Sequence, residues 1–351
     1  MLEASRRALE AGRLREAVRR LPARVPGPFR PERDLIEAEA LRGQGFFRRA
    51  EAIYRRLLAA PPKSDPPLWI EAALGSAAGS RSVGRAREAS RLLDKAQALA
   101  RRERWAAPRI RLERALIARA EGRWAAALAA LRSMLQEALA AGELQEASFL
   151  LWAIGGALRF SGDLSGACRA FERSLLLAGR SGDPAAEGYA VLGLGGVSRI
   201  LGRLRESARF YARARRAFAR TEDLFAQAYA HCGLANGLRQ LGLRRAAERH
   251  YRAAYRMYSR LGDAVDLAYV DWGLGKLRLD EGRVRDAVPW LRRSLARFRA
   301  GRELRGECLA ELALAQASHS LGRTAEAEAL FERAVRRGRA GGLHAHLELF
   351  T

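Results

Sequence analysis

Cysteine and long apolar runs are both scarce in this sequence. Its three cysteines, Cys168, Cys232 and Cys308, form neither a CxxC motif nor a Cys/His ligand spacing. This spacing excludes a disulfide framework and favours reduced thiols. No stretch approaches the roughly 18 consecutive apolar residues that a membrane-spanning helix needs, and the N-terminal MLEASRRALEAGRL lacks the apolar segment of a secretory signal. We therefore expect a cytoplasmic protein without membrane insertion.

Motifs for catalysis and metal binding are also missing. The histidines are His231, His250, His319, His344 and His346. None belongs to an HExxH motif or has a nucleophile at a recognisable spacing. The sequence has no P-loop or GxGxxG motif, and its LGLGG segment at 192–196 falls in the middle of a predicted helix. We therefore predict no catalytic residue, no metal site and no cofactor, and we expect that the chain is not an enzyme.

Acidic residues are fewer than basic ones, and lysine is almost absent. The chain has 63 basic and 39 acidic side chains, a net charge of +24, and only Lys63, Lys95 and Lys276 are lysines. A GC-rich genome would account for the use of arginine in place of lysine, but not for the basic excess. That excess favours an anionic partner. No long run of like charge is present, which argues against a disordered basic arm.

Glycine, in contrast, recurs at a fixed interval. Six glycines, which we call the turn glycines, follow one another at 40 residues: Gly122, Gly162, Gly202, Gly242, Gly282 and Gly322. Halfway between them lies a second series: Gly142, Gly182, Gly262 and Gly342. Each glycine separates two amphipathic segments, and glycine at such a place ends a helix in a left-handed cap. Two turns in each period predict two helices of about 15 to 17 residues each.

The residues around each turn glycine follow a pattern that resembles the tetratricopeptide repeat. Pairs such as Leu234-Ala235 and Leu274-Gly275 end at the seventh residue before the turn glycine, and small or aromatic residues recur five, nine and twelve after it, as in Ala247, Tyr251 and Ala254. The 40-residue period resembles the long-helix subclass of kinesin light chains, Pins/LGN-type adaptors and peptide-sensing bacterial regulators. The resemblance implies an all-α, superhelical solenoid of about nine helix-turn-helix units.

The regularity of the repeat suggests three segments. Residues 107–338 carry the regular 40-residue array. Residues 1–106 are interrupted by proline-bearing stretches at 22–31 and 61–67, where helices must end, so we expect divergent helical hairpins there. Residues 339–351 are expected to form a capping helix or the start of another repeat.

One face of the first helix of each repeat is the predicted binding surface. Its positions lie 13, 10, 6 and 3 residues before the turn glycine, and these spacings place them on one side of a helix. In the family that this pattern resembles, the face lines a concave groove that holds partners. The predicted groove residues are Arg119, Arg159, Arg199, Arg239, Asn236, Lys276, Gln316, Trp152, Tyr189, Tyr229, Tyr269 and Trp272. Guanidinium groups pair with carboxylates or phosphates, and aromatic rings supply contact area. The alternative is that the tyrosines pack one repeat against the next.

The sequence therefore predicts a protein–protein interaction adaptor or scaffold that receives an extended or helical, acidic peptide in its groove. A first alternative is a nucleic-acid-binding solenoid, motivated by the charge and the interleaved aromatic residues; no base-reading code is evident for it. A second alternative is a regulator that senses a small peptide, although the sequence marks no output domain.

Overall fold

Helices account for almost all of the structure, a computed structural model that describes residues 1–61, 64–82, 85–100, 103 and 105–343. No strand occurs in these ranges. The predicted all-α fold of consecutive helical hairpins is confirmed, and there are nine such hairpins in the described residues. In chain order the helices are α1 (Glu3–Glu10), α2 (Leu14–Arg19), α3 (Arg30–Gly43), α4 (Phe47–Leu58), α5 (Pro66–Ser82), α6 (Ala86–Leu99), α7 (Ala106–Ala120), α8 (Trp124–Ala140), α9 (Leu144–Ser161), α10 (Leu164–Ser181), α11 (Pro184–Ile200), α12 (Leu204–Phe218), α13 (Leu224–Gln240), α14 (Arg244–Leu261), α15 (Ala264–Asp280), α16 (Val284–Gly301), α17 (Leu304–Ser320) and α18 (Thr324–Ala340).

The turn glycines separate the two helices of the last six hairpins, from α7/α8 to α17/α18, and their backbone is left-handed. Their φ angles lie between 73° and 94°. At Gly202, the Gly202 N–H donates to the Arg199 carbonyl at 3.1 Å and the Arg203 N–H donates to the Ser198 carbonyl at 2.8 Å. These bonds satisfy carbonyls that the ending helix leaves without a partner. Arg302, at φ 54°, is the one non-glycine residue with positive φ in the described part of the chain.

Glycines inside the helices allow the hairpins to pack closely. The Tyr211 ring lies between Gly195 of its own hairpin and Gly233 of the following helix α13. A Cβ atom built on Gly195 would lie 3.1 Å from the ring, and one built on Gly233 would lie 2.1 Å from it. Phe171 contacts Gly155 and Gly193 in the same way. An aromatic side chain in the second helix therefore fills the space that two glycines leave in neighbouring first helices.

The structure divides into two compact units, which we call unit 1 and unit 2. Unit 1 comprises Met1–Gly193 and Ala217–Leu224, and unit 2 comprises Leu194–Arg216 and Phe225–Thr351. Within unit 1, the Leu224 N–H donates to the Gln44 carbonyl at 3.3 Å, so the turn after α12 contacts the second hairpin. Within unit 2, a core of alanine, leucine and aromatic residues from α15–α18 surrounds the fully buried Phe298.

Some sequence-based expectations fall outside these observations. Residues 344–351, which include most of the predicted capping segment, lie outside the described residues. The proposed boundaries at 106 and 338 stay predictions. Among the described residues, no helix combines the length and apolar character needed to cross a bilayer.

Candidate partner-binding site

A cavity of about 610 Å³ lies in unit 2, between helices α15, α17 and α18. Three of the predicted groove residues, Trp272, Lys276 and Gln316, line it. They occupy positions −10 and −6 relative to their turn glycines, and His319 at position −3 joins them. The tertiary structure therefore brings these columns of the predicted face together around one open space.

Lys276 is the buried cation of this cavity. Its side chain is only 7 % exposed, and its Nζ donates a hydrogen bond to Oε1 of Gln316 at 2.8 Å. Burial lowers the pKa of Lys276, and the positive charge of Arg239 lowers it further, against the opposing effect of Asp280. Among the described residues no carboxylate forms an ion pair with Lys276, so a neutral amide is the acceptor for a buried ammonium group.

The walls of the cavity are mainly apolar. Leu309 and Leu312 contribute to them, together with Phe331 and the edge of Trp272. Trp272 is nearly buried and its Nε1 donates to the Leu309 carbonyl at 3.1 Å. Phe331 is 54 % exposed, although Tyr251, nine residues after its own turn glycine like Phe331, is fully buried. Glu328, which is exposed, also lines the cavity.

Phe331 is a cavity residue that the sequence did not predict. Its position nine residues after Gly322 marked it as a packing residue within the repeat. Whether a large apolar residue at this position is buried depends on which other helix packs against it. The periodicity of the sequence does not contain that information.

Two other predicted residues have partners inside unit 2. The Arg239 side chain is 9 % exposed and forms an ion pair with Asp280 at 2.7 Å, while its guanidinium lies 6.0 Å from the centre of the Trp272 ring. Asn236 accepts a hydrogen bond from the Tyr251 hydroxyl at 2.7 Å. Arg199 is partly buried. Arg239 and Asn236 thus already hold neighbouring helices together.

The tyrosine column lies largely between repeats. The Tyr189 hydroxyl donates to Asp223 at 2.6 Å in unit 1, and the Tyr269 hydroxyl donates to Glu303 at 2.9 Å in unit 2. Both tyrosines therefore reach a carboxylate 34 residues further along the chain. Burial raises the pKa of each tyrosine, and the adjacent carboxylate raises it further for Tyr189. Tyr229, at 39 % exposure, is more accessible than either of them.

In unit 1, the predicted residues Arg119, Arg159 and Trp152 lie near one another. The Arg119 guanidinium is 5.2 Å from the centre of the Trp152 ring, which also contacts Phe149 and Tyr189 with ring centres 5.4 Å apart in both cases. Arg159 lies over the Phe160 ring at 4.6 Å. These three residues are partly exposed and form a second place where cationic and aromatic side chains meet.

Comparison with known proteins gives the fold a name. Residues 312–337 match the tetratricopeptide repeat family. A Rap protein complexed with Competence and Sporulation Factor superposes with a TM-score of 0.72, at 11 % identity, over 97 % of each chain. The Rap conjugation gene regulator of plasmid pLS20, in complex with the Phr* peptide, gives 0.65 at 14 % identity, over 98 % of this chain and 96 % of that one. The quorum sensor NprR of B. thuringiensis, without ligand, gives 0.61 at 12 % identity, over 96 % and 97 %.

The chain has the tetratricopeptide-repeat fold. The resemblance inferred from the 40-residue spacing is thereby confirmed at the level of fold. No curated protein sequence matches this chain.

Sequence reasoning missed two buried carboxylates in the tetratricopeptide array of unit 2. Asp271 and Glu311, 40 residues apart, are both fully buried. Arg293 pairs with Asp271 through both of its carboxylate oxygens, at 2.6 and 2.9 Å. Arg297 donates to Asp271 at 2.6 Å, and Arg333 donates to Glu311 at 2.9 Å. The spacing of these residues could have predicted the pairs. Each carboxylate lies eleven residues before a turn glycine, and an arginine lies eleven residues after the same glycine.

A histidine pair links α13 and α14 in unit 2. The Nδ1 atoms of His231 and His250 lie 2.9 Å apart. Burial and the charges of His250, Arg215 and Arg256 together lower the pKa of His231 to about 4. No group of three or more His, Cys, Asp or Glu side chains that could hold a metal ion occurs in the described part of the chain.

Proposed function

We propose that this chain is a non-enzymatic interaction protein that binds an extended or helical, acidic peptide in the unit 2 cavity. The observation that carries this proposal is Lys276, a buried ammonium group whose hydrogen-bond partner is the amide of Gln316. A carboxylate of the peptide, from a side chain or from its C-terminus, would take the place of that amide. A hydrogen bond to a charged group contributes about 1.5–3 kcal/mol.

The cavity has one charged part and one apolar part, and a peptide can contact both. Lys276 supplies one site for a negative charge, while Leu309, Leu312 and Phe331 supply apolar contact area for neighbouring side chains. Glu328 is exposed and opposes a second negative charge near it, so it limits the number of acidic residues that the cavity accepts. The preferred peptide therefore has one acidic group placed beside an apolar or aromatic residue.

The similarity in fold supports peptide binding. The Rap protein and the pLS20 regulator are structures with a bound factor or peptide, and each superposes on nearly the whole of this chain. Two roles fit such a chain: an adaptor or scaffold for a partner protein, and a regulator that senses a small peptide. Both require the same binding step, which is the step to test first.

The test is a peptide selection on the complete chain, followed by affinity measurements. We expect the selected peptides to contain Asp or Glu next to an apolar residue. Lys276→Met keeps most of the length of the side chain and removes the charge, and we expect it to weaken the binding of selected peptides about tenfold or more. Its melting temperature should stay at or above that of the wild type, because the variant no longer buries an ammonium group. Glu328→Gln should strengthen binding.

The matched control is Arg283→Met, which removes an exposed cation that pairs with Asp286 at a turn. If Lys276→Met and Arg283→Met weaken binding equally, overall charge is responsible, the peptide cavity is wrong and the nucleic-acid alternative gains. Unchanged binding in Lys276→Met would also reject the proposed carboxylate partner.

A further inference from the structure

The same arrangement of arginine and tryptophan occurs once in each unit, with one difference in charge. In unit 2, Arg239 lies over Trp272 and forms an ion pair with Asp280. Relative to their turn glycines these residues hold positions −3, −10 and −2. In unit 1, positions −3 and −10 are held by Arg119 and Trp152, in contact at 5.2 Å.

The carboxylate is absent from the unit 1 arrangement. Phe160 holds the position that Asp280 occupies in unit 2. The one acceptor that Arg119 reaches among the described residues is the Ala153 carbonyl, at a long 3.5 Å from its guanidinium nitrogen. Arg119 therefore keeps the geometry of Arg239 over a tryptophan, but without the neutralising partner.

A glycine backbone in contact with Arg119 accompanies the missing carboxylate. Gly156 holds position −6, where unit 2 has Lys276. A Cβ atom built on Gly156 would lie 2.9 Å from a guanidinium nitrogen of Arg119, so the guanidinium lies directly on the glycine backbone. Trp152 bounds the guanidinium, and the neighbouring Phe149 ring is 38 % exposed. Trp152 therefore covers one side of the Arg119 guanidinium, and Arg119 and Trp152 are both partly exposed to solvent.

The positive charge around Arg119 is not balanced within unit 1. Arg81 is neutralised by Glu113 at 3.1 Å. Arg159 stacks on Phe160 and forms no ion pair among the described residues. Burial and the charges of Arg81 and Arg159 together lower the pKa of Arg119 to about 10, against the opposing effect of Glu113. Two guanidinium groups, those of Arg119 and Arg159, therefore repel each other, and neither forms an ion pair among the described residues; Glu113, which pairs with Arg81, offsets this repulsion only in part.

We propose that Arg119 and Arg159 form an oxyanion site in unit 1 that binds a phosphoryl group. A phosphate monoester carries about −1.5 to −2 charges near neutral pH, which matches two unneutralised guanidinium groups. A single carboxylate would neutralise only one of them. The planar guanidinium donates two parallel hydrogen bonds to such oxygens. This site lies in the other unit from the peptide cavity and does not depend on it.

The experiment titrates the complete chain with inorganic phosphate and, separately, with a phosphoserine peptide and its glutamate analogue, at constant ionic strength. We expect phosphate to raise the melting temperature of the wild type above that in chloride. Tighter binding of the phosphoserine peptide than of free phosphate would identify a phosphorylated protein as the source of the group. Equal affinity of the two would identify a small phosphate compound. Binding of the glutamate peptide as tight as that of the phosphoserine peptide would overturn the phosphoryl assignment.

Two variants and one control make the result specific. Arg119→Gln should weaken phosphate binding about tenfold or more, because it removes a charge-assisted bidentate contact. Phe160→Asp places a carboxylate at the position of Asp280, so it should also abolish phosphate binding. Arg123→Gln, at an exposed arginine paired with Glu121, should bind phosphate like the wild type. Equal phosphate stabilisation of the wild type, Arg119→Gln and Arg123→Gln, or no stabilisation of any of them, would overturn the proposal.

Discussion

Tyr211 lies so close to Gly233 that a single methyl group does not fit between them. A Cβ atom on Gly233 would be 2.1 Å from Cε1 of Tyr211, whose side chain is 3 % exposed. The same helix α13 contains Gly237, where a Cβ atom would have its nearest contact at 3.7 Å. The two glycines therefore differ in surroundings although both lie inside one helix.

This difference predicts opposite effects of the same substitution. Gly233→Ala should destabilise the protein by about 1–3 kcal/mol, because the added methyl group overpacks the contact with Tyr211. Gly237→Ala should stabilise it by about 0.5–1 kcal/mol, because alanine loses less conformational entropy in a helix. Urea unfolding of the two variants measures both values. Loss of stability in both, or in neither, would contradict the packing described for α13.

The buried ion pairs predict a second contrast. Asp271→Asn should cost about 1–3 kcal/mol, because it removes the charge that Arg293 and Arg297 share in a fully buried position. The matched control is Asp286→Asn, since Asp286 pairs with Arg283 at the surface and both side chains are more than half exposed. That change should alter stability by less than about 1 kcal/mol. Thermal and chemical unfolding of both variants tests the prediction, and equal losses would contradict it.

The His231–His250 pair predicts a dependence of stability on pH. Burial lowers the folded-state pKa of both histidines, to about 4 for His231, and Arg215, Arg249 and Arg256 repel the protonated forms. The unfolded chain therefore binds protons more readily than the folded one below the unfolded histidine pKa of about 6.5. Stability from this pair is full above that pH and is lost as the pH falls toward about 4.

The measurement is the melting temperature between neutral pH and about pH 5, the range in which histidine charge changes. In the variant His231→Asn the decrease with falling pH should be shallower than in the wild type. His319→Asn, at an exposed histidine, serves as the control and should follow the wild type. If the wild type and His231→Asn lose stability in parallel over this range, the histidine pair is not the cause.

Much of the fold was readable from the chain because its signals are local. A left-handed backbone at Gly202 needs glycine, since a side chain there is strained. Arg302 lies 40 residues after Gly262, in the series of positions halfway between the turn glycines. It adopts a positive φ angle there, as Gly262 does, although it is not a glycine. The left-handed turn therefore forms at this position without glycine.

The lining of the unit 2 cavity could be predicted only in part from the sequence. Trp272, Lys276 and Gln316 came from the predicted columns and line one cavity. Tyr189 and Tyr269 came from the same reasoning, yet their hydroxyls donate to Asp223 and Glu303 between repeats. Whether a side chain on the correct face is available depends on residues of the next repeat, and no pattern within one helix contains that information.

The sequence by itself determined the helical hairpins and their 40-residue spacing, because turn geometry and apolar periodicity are properties of short segments. It also placed Arg119 and Arg239 in the same column. The tertiary structure alone decided that Arg239 is neutralised by Asp280 and that Arg119, which lies over Trp152, forms no ion pair among the described residues. The physical reason is that Coulomb interaction depends on the distance between side chains about 40 residues apart, and only packing of one hairpin on the next sets that distance.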